Sequence, residues 1–581
     1  MNARASAVDL SPTAWPASAR EAAEAAEAQG WWPTENRVAH GADGLISATC
    51  SPIAVQAGLQ ALRCGGTAAD AAATVALTQV ATQLGSVASY AGIMALLYYE
   101  AKIGQVHSMD AGYNAYKDEN DPNSIPVCDL GPLANGMTPS DGGDKGRETL
   151  VPGFMAGLQA MHDRFGRLPF GALFEPAIWY ATTGVTVSAI LAAYFKMREP
   201  FLSRTPPGRR FMGQAGGDRP KAGDGFVQAE LAETLRAVAK EGAATMYCGP
   251  WAAAFVKAVR DAGGKASLDD LAAYRAIWSE PHSGEVFGHT VYVNGPPSLA
   301  FDQVMSGLHM AEALGLDRRG PCWRDPATLR DLSRISAVVS AAPHYSPEAI
   351  ELLLKRGVDI SMPMRRGRDF ARALASVLDQ LFSPQPPDEP RHSDAIVVVD
   401  KDGDIAVMTH TINTVVWGDT GLVVGGVPLP DSAGFQQARL AQIGPGARLP
   451  NEIACTLTFQ GAAPVLATAP IGSSLLPETL KTIVSVIGQR QDLAEVAVAP
   501  PLLLNFDSDP TLRAVSRRPV SVPPGAYDEA FLTELTRMGV AVKEAIVPVP
   551  RGTLAAVALD PRSGQASSPE VAREVVFAAS L

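Results

Sequence analysis

The residue with the clearest chemical potential is a serine that follows a break in the regular structure of the chain. Residues 383–390 contain four prolines, a composition that excludes a helix or a central strand and predicts an exposed, extended linker. Ser393 comes soon after this linker. If the chain is cut between His392 and Ser393, the new α-amino group, with a reference pKa of about 7.7–8.0, can accept the proton of the serine's own hydroxyl group. The position therefore predicts an N-terminal nucleophile.

Such a nucleophile needs a strand to hold it rigidly, and the next residues predict one. Residues 395–399 form a continuous run of small and β-branched apolar residues, an Asp-Gly turn follows, and residues 405–409 form the returning strand. Counting outward from this turn places Ser393 opposite Thr411, within one residue of register. Asn413 follows two residues later on the same face if the strand continues.

The chemistry also needs N–H groups that stabilise the oxyanion formed on an attacked carbonyl group. Residues 468–474 follow a strand-like run at 463–467 and contain a glycine, which allows a close approach of the backbone. We expect this segment to supply those donors. Each feature alone has a plainer interpretation, as a linker serine, a strand threonine or a turn glycine. Only their order and spacing together favour catalysis.

Other catalytic and binding classes find no support in the sequence. It contains no GxSxG elbow, no glycine-rich phosphate-binding motif and no HExxH, and its nine histidines are dispersed. We therefore expect neither a metal ion nor a cofactor. The six cysteines are scattered and predict free thiols rather than a disulfide framework. The net charge of −12, without a lysine or arginine cluster, argues against nucleic acid as a partner.

Composition and hydropathy predict a soluble protein. The chain is 47% hydrophobic and 19% charged, which is typical of globular proteins. No window approaches the roughly 18 consecutive apolar residues of a membrane span, so we expect no membrane partner. Residues 1–36 lack the apolar core of a signal peptide, and we expect a cytoplasmic protein. We divide the chain into a weakly structured lead-in at 1–36, a larger part at 37–392 and a smaller part at 393–581.

Several separated segments have a pattern that is characteristic of one known family. They are SP at 51–52 with AGL at 57–59, GGTAADAA at 65–72, VPGFMAG at 151–157, DDLAAY at 269–274, PPS at 296–298, and VVDKDG at 398–403 with TINT at 411–414. In these segments, and in their order from about residue 38 to 578, the chain resembles the γ-glutamyltranspeptidase family.

The resemblance implies an α+β fold, the four-layer αββα sandwich of N-terminal-nucleophile hydrolases. It implies that the chain cleaves itself into a large and a small fragment, which stay associated. It also implies acyl transfer from an amide to the nucleophile and then to water or an amine. Aligned without gaps, the family's nucleophilic threonine falls on Ser393, its supporting threonine on Thr411 and its asparagine on Asn413. The backbone N–H pair of its oxyanion site falls on Ile471 and Gly472.

The chain departs from the family where that family recognises glutamyl groups. The Thr-Thr-His of the cleavage site reads Ser-Asp-Ala at 393–395. The arginine for the α-carboxylate falls within residues 111–113, which read Ala-Gly-Tyr, and the acidic residue for the α-amino group falls on Gly434. The paired serines of the pocket read Pro-Asn at 450–451. Unpaired substrate charges are costly to bury, so we expect a less charged acyl group.

Three hypotheses remain open at this point. The first is a processed amide hydrolase or acyltransferase that acts on a small non-glutamyl amide, with Arg448 and Asn451 near the acyl group. The second is an unprocessed, catalytically silent relative that serves as a binding protein, because the processing and recognition residues are both altered. The third is a true γ-glutamyltransferase or glutathione hydrolase. The sequence leaves open whether the chain forms a homo-oligomer.

Overall fold

Two antiparallel sheets of seven strands each form the centre of the described structure. The structure is a computed structural model that describes residues 8–30, 32–128, 145–213, 216, 219–341, 347–358, 367–378, 393–472, 475–502, 519–544, 553–572 and 574–581. The Pro-rich segment at 383–390 and His392 lie outside these residues.

The strands are short to medium in length and are numbered along the chain. They are β1 Arg37–Gly41, β2 Gly44–Thr49, β3 Ile93–Glu100, β4 Gln105–Ala111, β5 Val185–Thr186, β6 Gly225–Phe226, β7 Ile277–Ser279, β8 His282–Val286, β9 His289–Val293, β10 Asp394–Asp400, β11 Ile405–Thr411, β12 Val423–Val424, β13 Val427–Pro428, β14 Thr456–Gln460, β15 Ala463–Pro470, β16 Val520–Val522, β17 Val542–Glu544, β18 Leu554–Asp560, β19 Gln565–Glu570 and β20 Val576–Ser580. Sheet I has the order β20-β2-β10-β11-β3-β4-β7, and sheet II has the order β1-β19-β18-β15-β14-β9-β8.

The helices are also numbered along the chain. They are α1 Ala17–Gln29, α2 Pro52–Arg63, α3 Ala68–Thr82, α4 Phe154–Phe165, α5 Glu175–Thr183, α6 Ala189–Leu202, α7 Pro206–Met212, α8 Ala229–Glu241, α9 Ala244–Cys248, α10 Pro250–Asp261, α11 Leu268–Ala272, α12 Ala300–Ala313, α13 Pro326–Ala341, α14 Pro347–Lys355, α15 Arg368–Ser376, α16 Gln437–Ile443, α17 Leu475–Ile483, α18 Leu493–Val498 and α19 Glu529–Arg537. Within the described ranges, none of these helices combines the length and apolarity that a membrane crossing requires.

Three hydrophobic cores separate four layers. One core lies between sheet I and helices α2, α3 and α4, and includes Ile396 and Met408. A second lies between the two sheets and includes Val397 and Val407. A third lies between sheet II and helices α12, α13 and α17. This order of layers confirms the αββα sandwich and the α+β class that the resemblance implies.

Helix α3 packs closely on the two central strands of sheet I because most of its side chains are small. It begins with a capping box in which Thr67 and Asp70 satisfy each other's backbone N–H groups. The preceding turn contains Gly65 in the left-handed region, with φ +84°, where glycine has no steric penalty. All fifteen residues of α3 are buried. The helix therefore brings Gln79, and Gln83 just after its end, under the strand that follows Ser393.

The N-terminal residues are better packed than the sequence indicates. We expected a weakly structured lead-in at 1–36, but α1 lies within it, Leu10 is fully buried and Trp15 is nearly so. The indole N–H of Trp15 donates to the carbonyl oxygen of Leu10 at 3.0 Å. These apolar side chains belong to cores built from segments that are distant in sequence, which a local pattern does not encode.

A buried ion pair joins the two predicted parts of the chain. Asp110, in β4, accepts from Arg448 Nη1 at 2.6 Å and from Asn451 Nδ2 at 2.5 Å. Arg448 Nε also donates to Asn114 Oδ1 at 2.6 Å, and its Nη2 donates to the carbonyl oxygen of Arg275 at 2.6 Å. The side chains of Arg448 and Asp110 are only 9% and 4% exposed. We call this group, Asp110 with Arg448 and Asn451, the Asp110 clamp.

Arg448→Met should lower the free energy of unfolding by about 3–5 kcal/mol, because it leaves the Asp110 carboxylate buried without its cation. The matched control is Arg167→Met, which breaks the ion pair between Arg167 and Asp402, both about half exposed, and should cost about 0–1 kcal/mol. Urea denaturation of the two variants measures the difference. Equal losses would mean that the clamp is no stronger than a surface ion pair.

Candidate active site

Ser393 lies immediately before β10 and is 7% exposed. Strands β10 and β11 pair with Asp394 opposite His410. Extending this register by one residue puts Ser393 opposite Thr411, which agrees with the count made from the turn. Side chains alternate along a strand, so Ser393 shares the face of Ala395, which packs between the two sheets. The serine therefore stands at one end of the inter-sheet space.

Thr411 ends its strand, and Asn413 lies in a turn rather than on the same strand face. Asn413 has φ +53°, a left-handed conformation that asparagine tolerates better than most residues. Its backbone N–H donates to Thr411 Oγ1 at 2.9 Å. The expected strand continuation is therefore wrong by two residues, because the side chain of Thr411 caps the turn. Thr411 and Asn413 nevertheless remain adjacent at the end of β11.

Two hydroxyl groups brace this turn, and sequence reasoning missed both. The carbonyl oxygen of Ile412 accepts from Ser432 Oγ at 2.6 Å and from Tyr113 Oη at 3.2 Å. Burial raises the pKa of the Tyr113 phenol, so it remains a proton donor at neutral pH. Tyr113 belongs to the Ala-Gly-Tyr segment where the resemblance expects an arginine. A tyrosine in this segment is visible in the sequence, but its hydrogen bond to Ile412 depends on the tertiary fold.

The segment expected to stabilise an oxyanion follows β15 directly. Gly472 has φ +76°, which a residue with a side chain adopts only with strain. Thr409 Oγ1 donates to the carbonyl oxygen of Pro470 at 3.4 Å, which links this segment to β11. The N–H of Ile471, however, donates to the carbonyl oxygen of Thr553 at 3.0 Å. Of the two predicted donors, the geometry therefore favours Gly472.

The other predicted substrate-binding residues belong to the Asp110 clamp. Arg448 and Asn451 both donate to the Asp110 carboxylate, and Asn451 Oδ1 accepts the N–H of Ile453 at 3.0 Å. These contacts support a framework role for both residues, and their contact with substrate stays a prediction.

Gly434 is tightly enclosed by a neighbouring segment of the chain. A Cβ atom at this position would lie 2.3 Å from Cys128 Sγ, 3.0 Å from the Cys128 nitrogen and 3.1 Å from the carbonyl oxygen of Pro126. Contacts shorter than 3.0 Å require the neighbour to move. The position where the family carries an acidic side chain is therefore filled here by Cys128.

A cluster of buried acids lies beside Cys128. Cys128, Glu148 and Asp431 each offer one ligand atom, and these atoms lie within 4.8 Å of one another. At this spacing all three could bind one metal ion. Burial, together with the nearby Asp419 carboxylate, raises the pKa of both Glu148 and Asp431. Lys145 Nζ lies 2.6 Å from Glu148 Oε1 and 2.8 Å from Asp419 Oδ2. Because lysine already supplies positive charge, we assign the cluster to the framework.

Sequence comparison relates the chain to a known family of proteins. The sequence model of the gamma-glutamyltranspeptidase family matches residues 54–578. The chain is 25% identical to the glutathione hydrolase proenzyme of Escherichia coli (strain K12), over 60% of this chain and 63% of that protein. It is 24% identical to the capsule biosynthesis protein CapD proenzyme of Bacillus anthracis, over 62% of this chain and 60% of that protein. These alignments span less than two thirds of either relative.

A solved structure shares the fold over nearly its whole length. The crystal structure of cephalosporin acylase from Bacillus halodurans matches with a TM-score of 0.75 and 18% identity, over 95% of this chain and 98% of that chain. At this identity the likeness shows the fold alone. The family match extends from the second helix to the last strand and carries the assignment by sequence. The chain belongs to the γ-glutamyltranspeptidase family.

Proposed function

We propose that the protein is an amide hydrolase or acyltransferase that cuts itself between His392 and Ser393 and transfers a small non-glutamyl acyl group through Ser393. The observation that carries the proposal is the position of Ser393, at the start of the buried strand β10 and opposite Thr411. Self-cleavage is further supported by the family relatives that are named as proenzymes.

The proposed reaction assigns one step to each of the predicted groups. The free α-amino group of Ser393 accepts the hydroxyl proton while Oγ attacks the carbonyl carbon of the amide. The N–H of Gly472 donates to the oxyanion that forms. Collapse of this intermediate breaks the C–N bond, and the leaving amine takes up the proton. Water or a second amine then attacks the ester carbon and gives a proton to the α-amino group. The ester C–O bond breaks, Oγ takes that proton and becomes a hydroxyl group again, and the acid or the new amide leaves.

Thr411 and Asn413 fill supporting roles in this proposal. Thr411 lies opposite the nucleophile, and its Oγ1 holds the Asn413 turn through a 2.9 Å hydrogen bond. A hydroxyl group and an amide at this end of β11 orient the α-amino group, which is needed because a free amine on a chain terminus otherwise rotates. The brace from Tyr113 and Ser432 to Ile412 keeps both residues in place.

Two features support an acyl group that lacks the charges of glutamate. Cys128 occupies the space of an acidic side chain at 434, and Tyr113 turns its hydroxyl group toward Ile412 instead of offering a cation. A glutamyl substrate would therefore lose the partners of both its α-amino and its α-carboxylate groups. The cytoplasmic location stays a prediction that depends on the sequence alone.

Self-cleavage is tested by the intact mass and N-terminal sequence of the purified protein. The wild-type chain of 60.9 kDa should yield two associated fragments, the smaller beginning Ser393-Asp394-Ala395. Ser393→Ala should remain uncut and lose at least about 10³-fold in turnover, because both steps need the same hydroxyl group. Ser393→Thr is the matched control, because it restores the family's nucleophile and should still be cut.

Cleavage that survives in Ser393→Ala would move the nucleophile to another residue. A wild-type chain that stays uncut on long incubation would instead favour the silent binding protein.

The acyl preference is tested with two anilides that share one leaving group. γ-Glutamyl-p-nitroanilide carries both α-charges, and butyryl-p-nitroanilide keeps the four carbons from the acyl carbonyl to the α-carbon without them. We expect kcat/KM for the butyryl compound to be higher by about 10²-fold, because two charged groups remain unpaired in the glutamyl complex. A preference for the glutamyl compound, or ordinary turnover of glutathione, would overturn the non-glutamyl assignment.

A further inference from the structure

Asp394, the residue after the nucleophile, points away from the inter-sheet space. Alternation along β10 puts its side chain on the face of Ile396, which packs against the helix layer that contains α3. Asp394 is completely buried. It stands where the family carries threonine, so its carboxyl group is a feature of this chain that the proposed reaction does not use.

The carboxyl group of Asp394 ties the strand to two neighbouring elements. Thr49 Oγ1, at the end of β2, donates to Oδ1 at 3.2 Å, and Gln83 Nε2, just after α3, donates to Oδ2 at 3.0 Å. The hydroxyl oxygen of Thr49 also accepts the backbone N–H of Ala395 at 2.9 Å. The first two residues of β10 are therefore held through both a side chain and the backbone.

A second set of contacts extends the same network to β11. Gln79 Nε2 donates to the carbonyl oxygen of Thr49 at 2.6 Å, which leaves Gln79 Oε1 to accept from His410 Nε2 at 2.8 Å. Burial lowers the pKa of His410 to about 3, so the imidazole is neutral. Because His410 lies directly opposite Asp394, the strands that carry Ser393 and Thr411 are anchored to α3 side by side.

We propose that Asp394 is a positioning residue for the nucleophile: its carboxyl group anchors the start of β10 to α3 and β2 and thereby fixes the Ser393 hydroxyl group opposite Thr411. The inference rests on the proposed function of Ser393. On this proposal the Ser393 hydroxyl group reacts on one face of β10, and the Asp394 carboxyl group anchors the strand on the other face.

The surroundings of Asp394 leave its charge unbalanced. In the described ranges no lysine or arginine forms an ion pair with it. Burial raises the pKa of Asp394 to about 7, against hydrogen bonds from Cys50, Thr49 and Gln83 that favour the ionised form. The other titratable groups that face it are the Cys50 thiol and the Tyr194 phenol, whose pKa values burial raises, and the neutral His410. Glu27 on α1 adds a carboxylate near Cys50.

The direction of the pH effect follows from this burial. The fold favours the protonated carboxyl group, so the stabilising contribution is fully present below the unfolded pKa of about 4. It is lost as the pH rises through about 7. An uncharged side chain of the same shape should therefore raise the melting temperature more at pH 8 than at pH 4.

Asp394→Asn introduces such a side chain, and this variant can keep the network. Gln83 Oε1 is buried and has no hydrogen-bond partner among the described residues. If the Gln83 amide turns over, this oxygen can accept from the introduced amide nitrogen while Thr49 still donates to the remaining oxygen. Asp394→Ala, in contrast, removes every contact of the side chain.

The experiment compares the rate of self-cleavage and the melting temperature of the full chain from pH 4 to 8. Asp394→Ala should slow cleavage by about 10²-fold, the effect of a misplaced reacting group, and its cleaved fraction should show a lower kcat with an unchanged KM. Asp394→Asn should cleave at about the wild-type rate. Its melting temperature should be higher than that of the wild type at pH 8 and equal to it at pH 4.

The matched control lies at the other end of the same strand. Asp400 is also buried, and it accepts the backbone N–H groups of Ala68, Asp402 and Asp404 at 2.8, 2.9 and 3.0 Å. Asp400→Ala should lower the melting temperature without slowing cleavage. The proposal is overturned if Asp400→Ala slows cleavage as much as Asp394→Ala, or if Asp394→Ala cleaves at the wild-type rate. A wild type that stays uncut refutes the proposed function of Ser393 itself.

Discussion

The packing of β10 on both of its faces is the interaction on which the candidate site depends. One face contacts the small residues of α3 and the other contacts sheet II, so the strand is enclosed on both faces. An N-terminal nucleophile carries its base on its own backbone, so the backbone sets the place of both groups. Its place is set by the strand, and burial of that strand between two layers is what makes the place definite.

The parts of the fold that the sequence predicts are those determined by local patterns. The hairpin register follows from an Asp-Gly turn between two apolar runs, and β10 and β11 pair as that count requires. The parts that it misses depend on contacts between distant segments. The N–H of Ile471 donates to the carbonyl oxygen of Thr553. The side chain of Arg448 donates to Asp110, which is 338 residues away in sequence. No local pattern encodes either choice.

The departures from the family's recognition residues are coupled to compensating contacts. Loss of the acidic residue at 434 is matched by Cys128, whose sulfur atom occupies the space of a side chain, and Tyr113 donates to the turn that carries Asn413. Cys128 thus fills space at one altered position, and Tyr113 supplies a hydrogen bond at the other. These contacts argue that the altered pocket is packed around positions 113 and 434 and has its own shape.

Alternation along a strand explains how a buried acid can stand next to the proposed nucleophile in sequence without joining its chemistry. Consecutive side chains point to opposite faces, so the Asp394 carboxyl group meets α3 while the Ser393 hydroxyl group meets the inter-sheet space. The two groups share only the backbone between them. A change of charge on the helix side can therefore reach Ser393 only through the position of the strand, which Gln79 of α3 and Gln83 just after that helix anchor through Thr49, His410 and Asp394.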